Sequence, residues 1–183
     1  AHKFAVGQIF LPQDEAEAQK CIAIINEELT RETLGIAAWR EVPTNPSVLG
    51  SIALADMPQI KQVFINAPSG WRTQDLQRRL FVTRRRIEKR VIAAQVGGFY
   101  ICSLSCRSII YKGLFLAESL SDFYPDLKDE RFVSRVAIFH QRYSTNTFPQ
   151  WWLAQPFRCL AHNGEINTIR GNKNWMLSHE RSE

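Results

Sequence analysis

Two stretches of the chain, residues 14–30 and 73–95, carry apolar side chains on one face only. Ala18, Cys21, Ile22, Ile25 and Leu29 mark the stripe of the first, and Leu80, Ile87 and Val91 that of the second. A helix with one apolar stripe must bury it against another layer. Short apolar runs of strand character flank both: FAVGQIFLP (4–12), closed by Pro12, LGIAAWREV (34–42), QIKQVFINAP (59–68), ended by Pro68-Ser69-Gly70, and FYICSLS (99–105). SIIYKGL (108–114) is expected to pair with FYICSLS, and RVAIFHQRYST (135–145) and FRCLAHNG (157–164) to add further strands. A short helix around Phe115–Phe123 should stop before Pro125, and INTIRGNKNWMLSHERSE opens another. LGSIALADMP (49–58) reads equally as a loop or a helical turn. About seven strands and four helices make one α+β unit.

Helix ends are marked too. Asp14, Glu15 and Glu17 suit the positive end of the first helix dipole. Thr73 is a candidate cap for the second helix, and Gly97-Gly98 should break it. TNTFPQWWLAQP (145–156) is irregular and aromatic-rich, with Trp151 and Trp152 placed to cover something.

Net charge is +5, concentrated in RRLFVTRRRIEKR (78–90). Basic residues on one helix face are ordinarily a solvated surface; the alternative is a nucleic-acid-binding module. No apolar stretch reaches the roughly 20 residues needed to cross a bilayer. The N-terminus, AHKFAVGQIF, has no signal-peptide layout, so the four cysteines read as reduced thiols of an intracellular protein. Cys21 falls on a core face. Cys102 and Cys106 would share a face of one strand and, with Cys159 and His162, could form a zinc set. A turn near Ser105 or Cys106 would break that face and leave buried small hydrophobes.

Two chain segments concentrate polar chemistry. One offers His140, Arg142, Tyr143, Ser144 and Thr145, and the other His162, Asn163, Gly164, Glu165 and Asn167. An Arg fork matches a carboxylate in bidentate fashion. An Asn amide beside a Gly N–H makes a natural oxyanion hole, because an oxygen can approach the Gly backbone closely. Together they suit a small amino acid with a carboxylate at one end and a reacting carbonyl at the other. No Ser-His-Asp set and no Gly-rich phosphate loop occurs. Taken alone, these residues say "carboxylate and oxyanion site" and no more.

HQRYSTNTFPQWWLAQPFRCLAHNGEINTIRGNKNWM (140–176) resembles the glutamine amidotransferase domain of glutamate synthase large chains. Class II amidotransferases in general share RYST (142–145), QPF (155–157) and AHNG (161–164), and GEINTIRGNKNWM (164–176) narrows the likeness to glutamate synthase. YICSLSCRSIIYKGLF (100–115) and GWR (70–72) fit more loosely. The resemblance implies an N-terminal-nucleophile hydrolase fold, a four-layer α/β/β/α sandwich, here in part. It implies that an N-terminal cysteine attacks the glutamine amide carbon, with its own α-amino group as base. A thioester forms, ammonia leaves and water releases glutamate. Arg142 and Thr145 match the positions that hold the substrate α-carboxylate, and the Asn163 side chain and Gly164 N–H match the oxyanion hole.

Residue 1 is Ala1, so the nucleophile, and a His-Arg-Gly segment, are expected upstream and the aspartate for the substrate amino group beyond Glu183. Residues 1–183 therefore read as a single partial amidotransferase domain, truncated at both ends, and inactive as a separate piece. The resemblance implies FMN and an iron–sulphur cluster for later domains of the parent enzyme, with no cofactor and no metal in this piece. Expected partners are L-glutamine, the remaining domains of the parent polypeptide, and ferredoxin or a nicotinamide-linked small subunit, with neither nucleic acid nor membrane. The expected location is cytoplasmic or plastid stroma. The amidotransferase of another class II synthase stands as the nearer alternative.

Overall fold

The structure is a computed structural model and describes residues 3–143, 147–157 and 169–181. In chain order its elements are β1 (Phe4–Leu11), α1 (Glu15–Arg31), β2 (Gly35–Glu41), α2 (Ser51–Ala55), β3 (Gln59–Asn66), α3 (Thr73–Ala93), β4 (Tyr100–Ser105), α4 (Leu120–Phe123) and α5 (Ile169–Glu180). The strands form one antiparallel sheet in the order β2-β3-β1-β4. The architecture is α+β, as expected.

Alternation along β1 sorts the sheet into two faces. Ala5, Ile9 and Leu11 point to one cluster, where α1 contributes Ala18, Cys21, Ile25 and Leu29 and α3 contributes Leu76, Leu80, Ile87 and Val91. Phe10 points to a second cluster with Val42, Ala53, Ile60, Phe123, Tyr124 and Trp151. The first face is closed by two long helices. The second is closed by short helices and the irregular chain after β4.

Both long helices end in the same way. The Leu34 N–H reaches back to the Leu29 carbonyl at 2.9 Å, and the Val96 N–H to the Val91 carbonyl at 3.3 Å. Each closure needs a left-handed residue between, and these are Thr33 (φ 59°) and Gln95 (φ 57°). The second helix therefore ends at Ala93 and is closed by Gln95, before the Gly97-Gly98 pair expected to break it. At the other end Asp14 caps α1, accepting the Glu17 N–H at 2.8 Å. The cap position of α3 is Arg72 and carries no side-chain cap bond, so Thr73 is the first helical residue rather than the cap.

Two expected strands differ in the structure. Residues 108–114 form no strand. Their backbone is engaged by side chains instead: the Ile110 N–H donates to Ser103 Oγ, and the Lys112 carbonyl accepts from Tyr124 Oη. Residues 135–143 also form no strand, and Val136, Ile138 and Phe139 are exposed. A strand needs a hydrogen-bonding neighbour, and none flanks this segment among the described residues. Residues 49–58 resolve into α2. The strand expected at 157–164 lies, after its first residue, outside the described residues.

Candidate active site

Of the four expected site residues, the structure describes Arg142. Its side chain is exposed, and its backbone N–H donates to His140 Nδ1 at 3.1 Å. Thr145, Asn163 and Gly164 lie outside the described residues, as do Cys159 and His162. What the structure adds is how the Arg142 segment is held.

The next residue, Tyr143, is a staple. Its hydroxyl accepts the Gln150 N–H and donates to the Gln150 carbonyl, both at 2.8 Å. Two residues seven positions apart in the chain are thus fastened to each other. Gln150 leads into a 3₁₀ turn, Trp151–Leu153. Trp151 is buried, meets Phe10 edge-on at 5.9 Å between ring centroids, and donates its indole N–H to the Ala53 carbonyl at 2.9 Å. It also lies against Gly113, where a Cβ would stand 2.6 Å from the indole ring. Only a glycine permits that approach. Trp151 is therefore an anchor in the second cluster, whereas Trp152 stays half exposed against Tyr100.

Lys112 completes the support. It is 2% exposed and donates from Nζ to the carbonyls of Trp152 (2.9 Å) and Ala154 (2.8 Å). Its ammonium sits over the rings of Tyr100 at 4.3 Å and Phe157 at 4.7 Å. Burial pushes its pKa down to about 8, a shift that Cys102 opposes and Arg84 assists. Its signal in the sequence is a single cation inside the largely apolar SIIYKGLF, a pattern that by itself gives the residue no role.

A second polar cluster lies on the same sheet face. Gln62 Nε2 donates to Gln8 Oε1 (2.7 Å) and Tyr111 Oη (3.0 Å), while Arg40 Nε donates to Gln62 Oε1 (3.2 Å). Asp126 ties the set together, accepting from Tyr111 Oη at 2.9 Å and from the Arg40 fork. The groups lie on β1, β2, β3 and the segment after β4, so this network fastens the irregular layer to the sheet.

An open groove of about 460 Å³ runs beside Trp151 and Trp152. Asp14, Glu17 and Asp56 line it. That is the wrong sign for a substrate carboxylate, so the Arg142 segment remains the candidate for that end of the ligand.

Two of the described cysteines, Cys21 and Cys102, are poor nucleophiles. Burial pushes the Cys21 thiol up to about 11 and the Cys102 thiol up to about 12, and a thiol of that pKa is almost wholly protonated at neutral pH. Cys106 donates its thiol to Gln77 Oε1 at 3.3 Å. Cys102 packs in the second cluster and Cys106 against the first, so they do not share a face. The cause is twofold: the register of β4 against β1 shifts beside Cys102, and the strand ends at Ser105. Among the described residues no group of three or more His, Cys, Asp or Glu side chains could hold a metal ion.

The basic helix is largely partnered. Arg79 and Arg86 pair with Glu32, the residue that caps the end of α1, and Arg90 pairs with Glu27 and Glu28 in its last turns. Arg84 and Arg85 pair with Glu88. A face that spends its guanidiniums on neighbouring carboxylates no longer favours a nucleic-acid-binding module. Among the described residues no helix is long and apolar enough to cross a membrane.

Comparison with known proteins agrees with this reading of the chain. A profile of the family "Glutamine amidotransferases class-II" matches residues 1–182. The large chain of the NADPH glutamate synthase of Azospirillum brasilense is 55% identical over 180 residues, which is 98% of this chain and 12% of that protein. The chloroplastic ferredoxin-dependent glutamate synthase of Oryza sativa subsp. japonica is 47% identical over 176 residues, 96% of this chain and 11% of that protein. The chain thus spans about an eighth of the length of the curated relatives it matches. With a profile match along nearly its whole length, the chain belongs to the class II glutamine amidotransferase family.

Proposed function

We propose that this chain forms part of the glutaminase site of a glutamate synthase. The observation that carries the reading is the identity of 55% to a glutamate synthase large chain along nearly all of these residues. In this reading L-glutamine is hydrolysed to glutamate and ammonia, and the ammonia serves reductive amination of 2-oxoglutarate in other domains of the same polypeptide. The small share of each relative that the chain spans supports its being one portion of a longer amidotransferase-bearing polypeptide.

Arg142 and Thr145 hold the substrate α-carboxylate. The exposed guanidinium of Arg142, next to the Tyr143 staple, is free to present its fork to a ligand. The Asn163 amide and the Gly164 N–H stabilise the oxyanion formed when a thiolate adds to the glutamine carboxamide carbon. Collapse of that adduct expels ammonia and leaves a thioester, which water cleaves to glutamate and free thiol. The attacking thiolate is the family's N-terminal cysteine; the high pKa values of Cys21 and Cys102 argue against either serving instead.

FMN and the iron–sulphur cluster belong to other domains, and the electron donor is ferredoxin or a nicotinamide-linked subunit, as the names of the relatives suggest for those proteins. The enzyme works in the cytoplasm or the plastid stroma. The test is glutamine-dependent ammonia release by the complete enzyme. Asn163→Ala lowers it by about 10²–10³-fold, and Arg142→Ala raises KM for glutamine. Wild-type turnover in Asn163→Ala together with wild-type KM in Arg142→Ala would remove the reading.

A further inference from the structure

We propose that Lys112 is a positioning residue for glutamine binding: its buried ammonium holds the Trp151–Ala154 turn, and through the Tyr143–Gln150 staple that turn sets the loop carrying Arg142. The inference rests on the reading of Arg142 as the carboxylate ligand.

The connection is continuous. Lys112 Nζ fixes the Trp152 and Ala154 carbonyls. Trp151, between them and Gln150, is pinned by Phe10, Gly113 and the Ala53 carbonyl. Gln150 gives both its backbone groups to the Tyr143 hydroxyl. Arg142 is the neighbour of Tyr143, and its own N–H is taken by His140. Each link is a hydrogen bond of 2.8–3.1 Å or a packed ring.

The placement is also costly. Taking an ammonium out of water costs several kcal/mol unless its donors are used, and lysine is almost never fully buried without a partner. No carboxylate bonds to Lys112 among the described residues; backbone carbonyls and ring faces receive it. A methionine would fill similar space without that desolvation. What only the ammonium supplies is direction, since two carbonyls converge on one nitrogen. At neutral pH the group is charged, as its lowered pKa of about 8 still permits. Direction matters because a displacement of about 1 Å at a substrate-holding group can cost about 10²-fold.

The test uses the complete enzyme, with glutamate formation from added ammonia as a second assay that bypasses glutamine. Lys112→Met should raise KM for glutamine about tenfold, with kcat within about threefold of wild type, a split that marks lost binding rather than lost chemistry. The ammonia-dependent rate should not change. Tyr143→Phe, which removes the staple without touching the core, should raise KM in the same direction. In combination with Arg142→Ala, Lys112→Met should add nothing within about a factor of two, because residues acting through one group are not additive. If Lys112→Met fails to fold and loses the ammonia-dependent rate, Tyr143→Phe decides. Wild-type KM in Tyr143→Phe, or full additivity of Lys112→Met with Arg142→Ala, overturns the proposal while leaving Arg142 as a ligand. A wild-type KM in Arg142→Ala overturns the reading beneath it.

Discussion

The two faces of the sheet are closed in different ways. Against one lie α1 and α3, regular helices whose stripes meet β1 through Ala5, Ile9 and Leu11, with ion pairs along their outer rim. Against the other lie short helical turns, aromatic rings and buried polar side chains: Trp151, Phe123, Tyr124, Lys112, and the Gln8–Gln62–Tyr111–Asp126–Arg40 set. The first face packs and carries no candidate ligand-holding residue. The second both packs and carries the Arg142 loop. A periodic helix can bury area but presents its backbone groups only at its ends, whereas an irregular layer has free carbonyls that a buried lysine can grip.

Trp151→Ala tests this division most severely. It should destabilise the chain by about 3–5 kcal/mol, as large aromatic deletions do, and in the complete enzyme also raise KM for glutamine. Leu80→Ala, on the helical face, should cost about 2–5 kcal/mol in unfolding experiments and leave KM alone. Equal effects on KM would erase the distinction between the faces.

Gln62→Leu comes next. It takes the donor from Gln8 Oε1 and the acceptor from Arg40 Nε, whose fork keeps Asp126, and should cost about 1–3 kcal/mol by denaturant unfolding. A loss confined to a few tenths would mean that the network does not hold the irregular layer.

The rim of the helical face should respond to acid. Burial raises the Glu32 pKa, but the hydrogen bonds and charges of Arg86 and Arg79 outweigh it and hold the carboxyl below its ordinary 4.5. A carboxylate with a lowered folded pKa stabilises fully above its unfolded value and loses that contribution as pH falls through the folded one. Glu32→Gln should therefore cost about 0.5–1 kcal/mol at neutral pH, since both arginines remain well solvated, and the difference from wild type should shrink below pH 4.5. A gap independent of pH would assign the effect to packing.

The smallest effect expected is a gain. Gln95 holds a left-handed conformation at the end of α3. Gln95→Gly removes the Cβ clash but adds chain entropy in the unfolded state, so a net stabilisation of up to about 1 kcal/mol is expected in thermal unfolding.

Legibility in the sequence followed the same division between faces. Residues 4–105 could be read almost element by element, because alternation in strands and 3.6-residue spacing in helices are local signals. Past Ser105 helices still form where expected, at α4 and α5, but the strand signals mislead. SIIYKGL has strand composition, yet side chains from Ser103 and Tyr124 take up its backbone groups. The segments carrying Arg142, Thr145, Asn163 and Gly164 read by their own chemistry as a carboxylate and oxyanion site, and only a resemblance ties that site to glutamine. Nothing in their neighbourhood pointed to Lys112, thirty residues before Arg142 in the chain.

The sequence by itself determined the α+β class, the two one-sided helices, the strands up to Ser105 and the membership in class II amidotransferases. These follow from patterns within a few turns of chain and from a continuous motif. Only the tertiary structure decided that the basic face of α3 is answered by Glu27, Glu28 and Glu32, that Cys102 and Cys106 part to opposite faces, and that Lys112 grips Trp152 and Ala154. Those outcomes depend on which distant groups meet once the sheet has formed. Charge pairing and hydrogen-bond direction are settled by that meeting, because a charged side chain has the same composition in water as it has in a clamp.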